Sequence, residues 1–140
     1  MTKEQAFRAY VLAYDIDVPA ERVEAEYDFF LTQAKHNLQY DTLTSGARHT
    51  SDELAAMEED LREAALFEAK SDLVLKELLS KQDLPVTQEE REERAKQIAE
   101  KDGTPMELLY RFFGKDLSAL DRDIREEKIR EQIYQEMKEQ

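Results

Sequence analysis

Leu66-Phe67-Glu68-Ala69-Lys70-Ser71-Asp72-Leu73-Val74-Leu75-Lys76-Glu77-Leu78-Leu79 is the stretch whose reading decides the fold. Wound as a helix at about 100° per residue, it cannot turn Leu66, Phe67, Leu73, Val74, Leu75, Leu78 and Leu79 toward a single neighbour, so this half of the helix is predicted to be surrounded. Upstream, Leu54, Met57, Leu61 and Ala65 form only a narrow line. The helix opens at Thr50, which stands three residues before Glu53 as in a capping box, and ends near Lys81. A last helix, starting near Asp116 or Ser118 and running almost to the C-terminus, behaves the same way. Its Leu117, Leu120 and Ile124 share one face, and Ile129, Ile133, Tyr134 and Met137 lie roughly half a turn away. Stripes that rotate in this manner predict helical hairpins, or arms, attached to a common base. Leu73, Leu75, Leu78 and Ile133 are expected in the base, with Leu61 and Leu120 less buried than Leu75.

Working outward, punctuation places the other helices, for six in all. Thr2 with Gln5 makes a capping-box start, followed by the stripe Phe7, Tyr10, Val11 and Tyr14. Asp15-Ile16-Asp17-Val18 is extended, and Pro19 takes the first helical position, where a missing N–H is tolerated. The second helix runs from there to about Tyr40 on the stripe Val23, Tyr27, Phe30, Leu31, Ala34 and Leu38. Asp41 to Thr50, rich in Thr, Ser and Gly, is expected to be the longest loop. Thr87 with Glu90 opens the fourth helix, which stops at Gly103; Thr104-Pro105-Met106-Glu107 opens a fifth, with Thr104 as N-cap, and Gly114 ends it. Asp15-Ile16-Asp17-Val18-Pro19-Ala20-Glu21 resembles Asp83-Leu84-Pro85-Val86-Thr87-Gln88-Glu89, a weak internal repeat in which an extended apolar segment leads into an acidic helix start.

The composition agrees with an all-α chain forming a single domain. The 140 residues include 38% charged ones and three each of Gly and Pro, which suits long solvated helices rather than a many-turned sheet. A formal net charge of −13 repels nucleic-acid phosphates, and no run of Lys/Arg offers a local footprint. The same charge keeps exposed apolar surface soluble and attracts basic partners; more simply, it reflects well-solvated helices. Without cysteine there is no disulfide framework, thiol nucleophile or Cys metal site. The segment Met1 to Tyr10 reads as an amphipathic helix rather than a signal peptide, and no apolar run approaches the ~20 residues of a membrane span. A soluble, cytoplasmic protein without membrane contact is therefore expected.

Nothing local supports an enzyme or a cofactor. The histidines are His36 and His49, and neither belongs to a ligand pair at i,i+4 spacing. There is no nucleophile elbow of the GxSxG type and no glycine-rich phosphate loop. The run Glu89-Glu90-Arg91-Glu92-Glu93-Arg94 invites a reading as catalytic carboxylates. A structural reading is stronger, because acidic residues favour a helix N-terminus and Glu90–Arg94 and Glu92–Lys96 are stabilising i,i+4 pairs. Ala95, Ile98 and Ala99 supply the apolar line of that helix, which reads as an exposed arm.

Three stretches in order carry a resemblance to a known family. Asp15-Ile16-Asp17-Val18-Pro19-Ala20-Glu21-Arg22-Val23-Glu24-Ala25-Glu26 resembles the start of the C-terminal domain of bacterial trigger factor, where a short extended segment ending in Val-Pro leads into the first arm helix. Ala69 to Leu79 resembles that family's long helix, which continues through Asp83-Leu84-Pro85-Val86-Thr87 into a second acidic helix. Gly103-Thr104-Pro105, before a short apolar helix and a long final one, completes the order. The likeness spans roughly Ala6 to Met137. The periplasmic SurA-type chaperone shares this helical architecture. The Gly-Phe-Arg-x-Gly ribosome-docking loop and the prolyl-isomerase domain of trigger factor are absent, so ribosome docking and isomerase activity are not expected from this chain alone. The chain reads as an excised domain or a free-standing, shortened relative.

The resemblance implies ATP-independent holding of unfolded or nascent polypeptides in a cradle between arms; the alternative is a helical scaffold or dimerisation module with one fixed protein partner. Client binding needs apolar surface that accepts many sequences. Phe29 lies far around its helix from the stripe that contains Phe30, so one face cannot bury both; either Phe29 meets clients or a second neighbour covers it. On the fifth helix Met106, Leu109, Tyr110 and Phe113 share one face, with Leu108 and Phe112 on another. Core packing on both faces is the preferred reading, with one face meeting a client or a second protomer as the alternative. Met57 and Leu61 are further candidates. A homodimer that uses the same surface as clients is also expected.

Overall fold

Seven α-helices and a 3-10 turn, with no strand, make up the computed structural model, which describes residues 1–140. In chain order these are α1 Lys3–Ala13, α2 Ala20–Ser45, α3 Ser51–Ala56, α4 Glu58–Lys81, α5 Gln88–Asp102, α6 Met106–Phe113, the turn Ser118–Leu120, and α7 Asp121–Lys138. Contacts divide the chain into two compact units, Val11–Val74 and Met1–Tyr10 with Leu75–Gln140.

Helix starts fall where local chemistry places them. Thr2 and Gln5 exchange hydrogen bonds, the Thr2 N–H donating to Gln5 Oε1 at 2.9 Å and the Gln5 N–H to Thr2 Oγ1 at 3.1 Å. Thr87 and Glu90 form a complete capping box ahead of α5, and Gly103 closes that helix in the left-handed conformation at φ 66°. Thr50 Oγ1 accepts the Glu53 N–H at 3.3 Å, as the sequence predicts.

Several boundaries differ from the sequence reading, the last helix among them, which begins at Asp121 after the turn Ser118–Leu120. Pro19 is the N-cap of α2 rather than its first helical residue, and α2 continues past Tyr40 to Ser45. The hydroxyls of Thr42, Thr44 and Ser45 donate to the carbonyls of Leu38, Tyr40 and Asp41, so residues that suit a loop remain helical until Gly46. The expected single helix from Thr50 to Lys81 is broken at Met57, whose N–H turns to the carbonyls of Leu54 and Ala55. The N-cap of α6 is Pro105, not Thr104. The Thr104 N–H is used instead to finish α5, donating to Ala99 O at 3.2 Å.

In the unit Val11–Val74 the buried apolar residues are Val11, Tyr27, Ala34, Ala65, Ala69 and Val74. Half of these are alanines, so this core is thin. Arg62 reinforces it from above: its guanidinium stacks 4.0 Å over the Tyr27 ring and donates to Glu24 at 3.0 Å and Glu58 at 3.3 Å. Lys70 Nζ donates to Leu12 O at 3.1 Å, which ties α1 to α4.

The unit of Met1–Tyr10 and Leu75–Gln140 has the larger core. Ala95 of α5, Leu109 of α6, Leu117, Leu120 and Ile124 form one buried cluster, with Val86, Ile98, Ala99, Met106, Tyr110 and Phe113 packed around it. Leu117 is fully buried in the left-handed conformation, φ 61°. That conformation is costly for a side-chain-bearing residue, and burial of the leucine together with an Asp116 Oδ1 bond from the Ser118 N–H offsets it. On α7, Ile129 and Ile133 are buried; Arg130 stacks 3.9 Å from the Phe7 ring of α1, and Lys3 pairs with Glu131 at 2.5 Å.

The expected gradient along the long helices needs correction at Leu120. Leu75 and Ile133 are buried and Leu73 and Leu78 half-buried, but Leu120 is completely buried, while Leu61 is half-buried. Leu120 belongs to a core face because α5 and α6 both close over the start of α7.

Candidate functional site

Helix α6 separates its apolar residues cleanly. Leu109 is buried, and Met106, Tyr110 and Phe113 are half-buried against the cluster below it. Leu108 and Phe112 point away, 48% and 83% exposed. Packing on both faces, the preferred sequence reading, is therefore not what occurs. Phe112 touches Phe113 with ring centroids 5.8 Å apart at 59° and is otherwise open to solvent. Gly114 ends the helix immediately afterwards at φ 97°, leaving the aromatic pair at its tip.

A second apolar surface runs along α2. Tyr27 and Ala34 face inward; at about 100° per residue Phe29, Tyr40 and Leu43 fall on the opposite side. They are 57%, 70% and 85% exposed. Phe29 packs edge-on against half-buried Phe30, with centroids 5.9 Å apart. Leu66 of α4 is also exposed, whereas Met57 and Leu61 are half-buried. Beside the end of α2 lies an open groove of about 470 Å³, lined by Leu38, Leu43 and Leu54 with Lys35, His49 and Thr50 among its polar residues.

Of the sequence candidates, the structure thus leaves Phe29 and Phe112 open, holds Phe30, Met57, Leu61, Met106, Tyr110 and Phe113 half-covered, and buries Leu109 in the core. Leu109 would have to leave the core to touch a client. Sequence reasoning missed Tyr40 and Leu43, whereas it places Leu108 beside Phe112 on the second face of α6. A signal for Tyr40 and Leu43 is present, since they follow Phe29 around the same helix face, but the Thr- and Ser-rich stretch from Asp41 reads as a loop and hides Leu43.

The acidic run on α5 lies in a cleft with α7, lined by Glu89, Glu90, Glu93, Glu127 and Glu131. Glu90, Arg91 and Arg94 of this run pair across to α7, not along α5 as the i,i+4 spacing predicts. Glu90 pairs with Lys128 at 2.7 Å, Glu127 with Arg94, and Arg91 holds Asp121 in a two-pronged bridge at 2.7 and 2.8 Å. The Lys128 ammonium holds the Glu90 carboxyl below its ordinary range, and the Arg91 guanidinium does the same for Asp121. Such groups are ionised at neutral pH, the reverse of what a proton donor requires. They pin α7 to α5. No cluster of His, Cys, Asp or Glu has the geometry of a metal site.

A model described as bacterial trigger factor protein C-terminus matches residues 1–135. The chain belongs to the trigger factor C-terminal family. It is a chaperone-related domain, and the family is not a catalytic one. No curated protein and no solved structure matches the chain. In this trigger factor C-terminal domain no helix is long and apolar enough to cross a membrane.

Proposed function

We propose that this trigger factor C-terminal domain holds unfolded or nascent polypeptides in the bacterial cytoplasm, without ATP, on the outward apolar faces of α2 and α6. The observation that carries the reading is the exposure of Phe29, Tyr40, Leu43, Leu108 and Phe112 on helices whose other faces are buried. A helix that is already anchored by Leu109, or by Tyr27 and Ala34, loses nothing by offering its second face to a partner. Each exposed ring or leucine that a client covers contributes up to ~2–3 kcal/mol before ordering costs. Several such contacts, none shaped around a particular residue, give weak binding to many sequences. The net charge of −13 favours client segments rich in Lys and Arg.

The test is promiscuity. Two unrelated proteins are diluted from denaturant, and their aggregation is followed by light scattering with and without the domain. Suppression of both is expected. Suppression of neither, with tight binding to one folded protein, would replace this reading with that of a scaffold having a fixed partner.

A further inference from the structure

A polar bridge crosses the turn between α2 and α3. His49 lies in the short connection after Gly46, and both of its ring nitrogens face carboxylates: Nε2 is 2.5 Å from Asp41 Oδ2 on α2, and Nδ1 is 2.5 Å from Glu53 Oε2 on α3. Ionised carboxylates only accept hydrogen bonds, so both contacts are satisfied together only when the ring carries two protons. The Ser45 hydroxyl, which donates to the Asp41 carbonyl at 2.7 Å, shares its proton with Asp41 Oδ1 at 3.1 Å. Lys35 lines the same groove as His49, and Arg48 precedes His49 in the chain; the groups directly bonded to the imidazole are the two acids.

What the bridge holds is weak by itself. Helix α3 has six residues, Ser51–Ala56, far below the length at which a helix persists alone. At its far end Met57 interrupts the helical bonding before α4 begins. Leu54 of α3 and Leu38 of α2, both half-buried, line the groove beneath. A six-residue helix with a break at one end and a charged tie at the other has the form of a flap.

We propose that His49 is a proton-operated latch, which ties α3 to α2 through Asp41 while the ring is doubly protonated and, on losing a proton, frees α3 to open about Met57 and bare Leu38 and Leu54. The direction follows from the contacts. Bonds to Asp41 first, then to Glu53, raise the His49 pKa above 6.5, and His49 lowers that of Asp41 below 3.8. A raised imidazole pKa means that the tie is fully present below the free histidine value and is lost as pH rises through the closed-state value. The lowered Asp41 pKa sets the other edge, since the tie weakens as pH falls through it. The latch is thus closed between the lowered Asp41 value and the raised His49 value, and opens as pH rises through the latter. The consequence, a larger apolar surface beside Leu43, rests on the client-holding reading; the latch does not.

Amide hydrogen exchange tests the latch without any client. Protection at Glu53, Leu54, Ala55 and Ala56, corrected for intrinsic rates, is compared at about pH 6 and about pH 9 in the native domain, His49→Ala and His36→Ala. Roughly tenfold or greater loss at the higher pH is expected in the native domain and in His36→Ala. His49→Ala should show low protection at both values, with Ala95 and Ile98 of α5 unchanged. An NMR titration of the His49 ring should have its midpoint where α3 protection falls. Equal corrected protection at both pH values, the same pH dependence in His49→Ala, or a ring midpoint at or below 6.5 would overturn the proposal.

Discussion

Leu109 and Phe112 stand less than one turn apart on α6, yet replacing them should have unequal consequences. Leu109 is 4% exposed and sits in the cluster with Ala95, Leu117, Leu120 and Ile124. Leu109→Ala removes buried methyl groups and leaves a cavity, at a cost of ~2–5 kcal/mol. Phe112 is 83% exposed, so less than a fifth of its surface is removed from water by the fold. With full burial of such a side chain contributing about 1.5–3 kcal/mol, that share is roughly 0.5 kcal/mol. The tilted contact with Phe113 adds a comparable amount. Ser and Phe have nearly the same helix propensity, so Phe112→Ser should cost about 1 kcal/mol in total. In a domain of this size 1 kcal/mol shifts the melting temperature by roughly 3–6 °C. Circular dichroism melts of the two variants should therefore show a small shift for Phe112→Ser and a drop of at least twice that for Leu109→Ala. Equal drops would refute the two-faced description of α6, and so would an unchanged melting temperature for Leu109→Ala.

Two further outcomes follow from the same geometry. Asp121→Asn breaks the bridge to Arg91, and because Arg91 lowers the Asp121 pKa below 3.8, the native advantage is fully present above that value and is lost as pH falls through the folded one. Melts should show the variant less stable at neutral pH and the difference closing in strong acid; a difference independent of pH would contradict the assignment. Self-association should use the same exposed faces as clients, giving a dimer that appears with concentration and is displaced by an unfolded client. Sedimentation that shows only monomer at high concentration would count against a shared surface.

Most of the fold is legible in the sequence where the decisive chemistry is local. Thr87 with Glu90 and Gly103 fix both ends of α5 within a few residues of chain, and the structure places them so. The break at Met57 is not legible, since neither Gly nor Pro marks it. The extension of α2 through Asp41–Ser45 is hidden for a related reason: Thr and Ser read as loop residues until their hydroxyls are seen to bond carbonyls a turn back. The acidic residues of α5 satisfy i,i+4 spacing with Arg94 and Lys96, but Lys128 and Glu127 on α7 compete more closely in space, and sequence spacing does not reveal that. For the candidate site, Phe29 is legible from the angle it makes with Phe30. Which face of α6 lies outward depends on α5 and α7 closing over Leu109 rather than over Leu108, and no local pattern encodes that.

The central claim is that the outward aromatics of α2 and α6 hold clients and not the fold. Its most direct test is the double variant Phe29→Ser, Phe112→Ser, assayed by light scattering with two unrelated unfolded proteins beside its own thermal melt. Weakened suppression of both clients, with a melting temperature within a few degrees of the native domain, is the predicted result. Undiminished suppression at an unchanged melting temperature would contradict it.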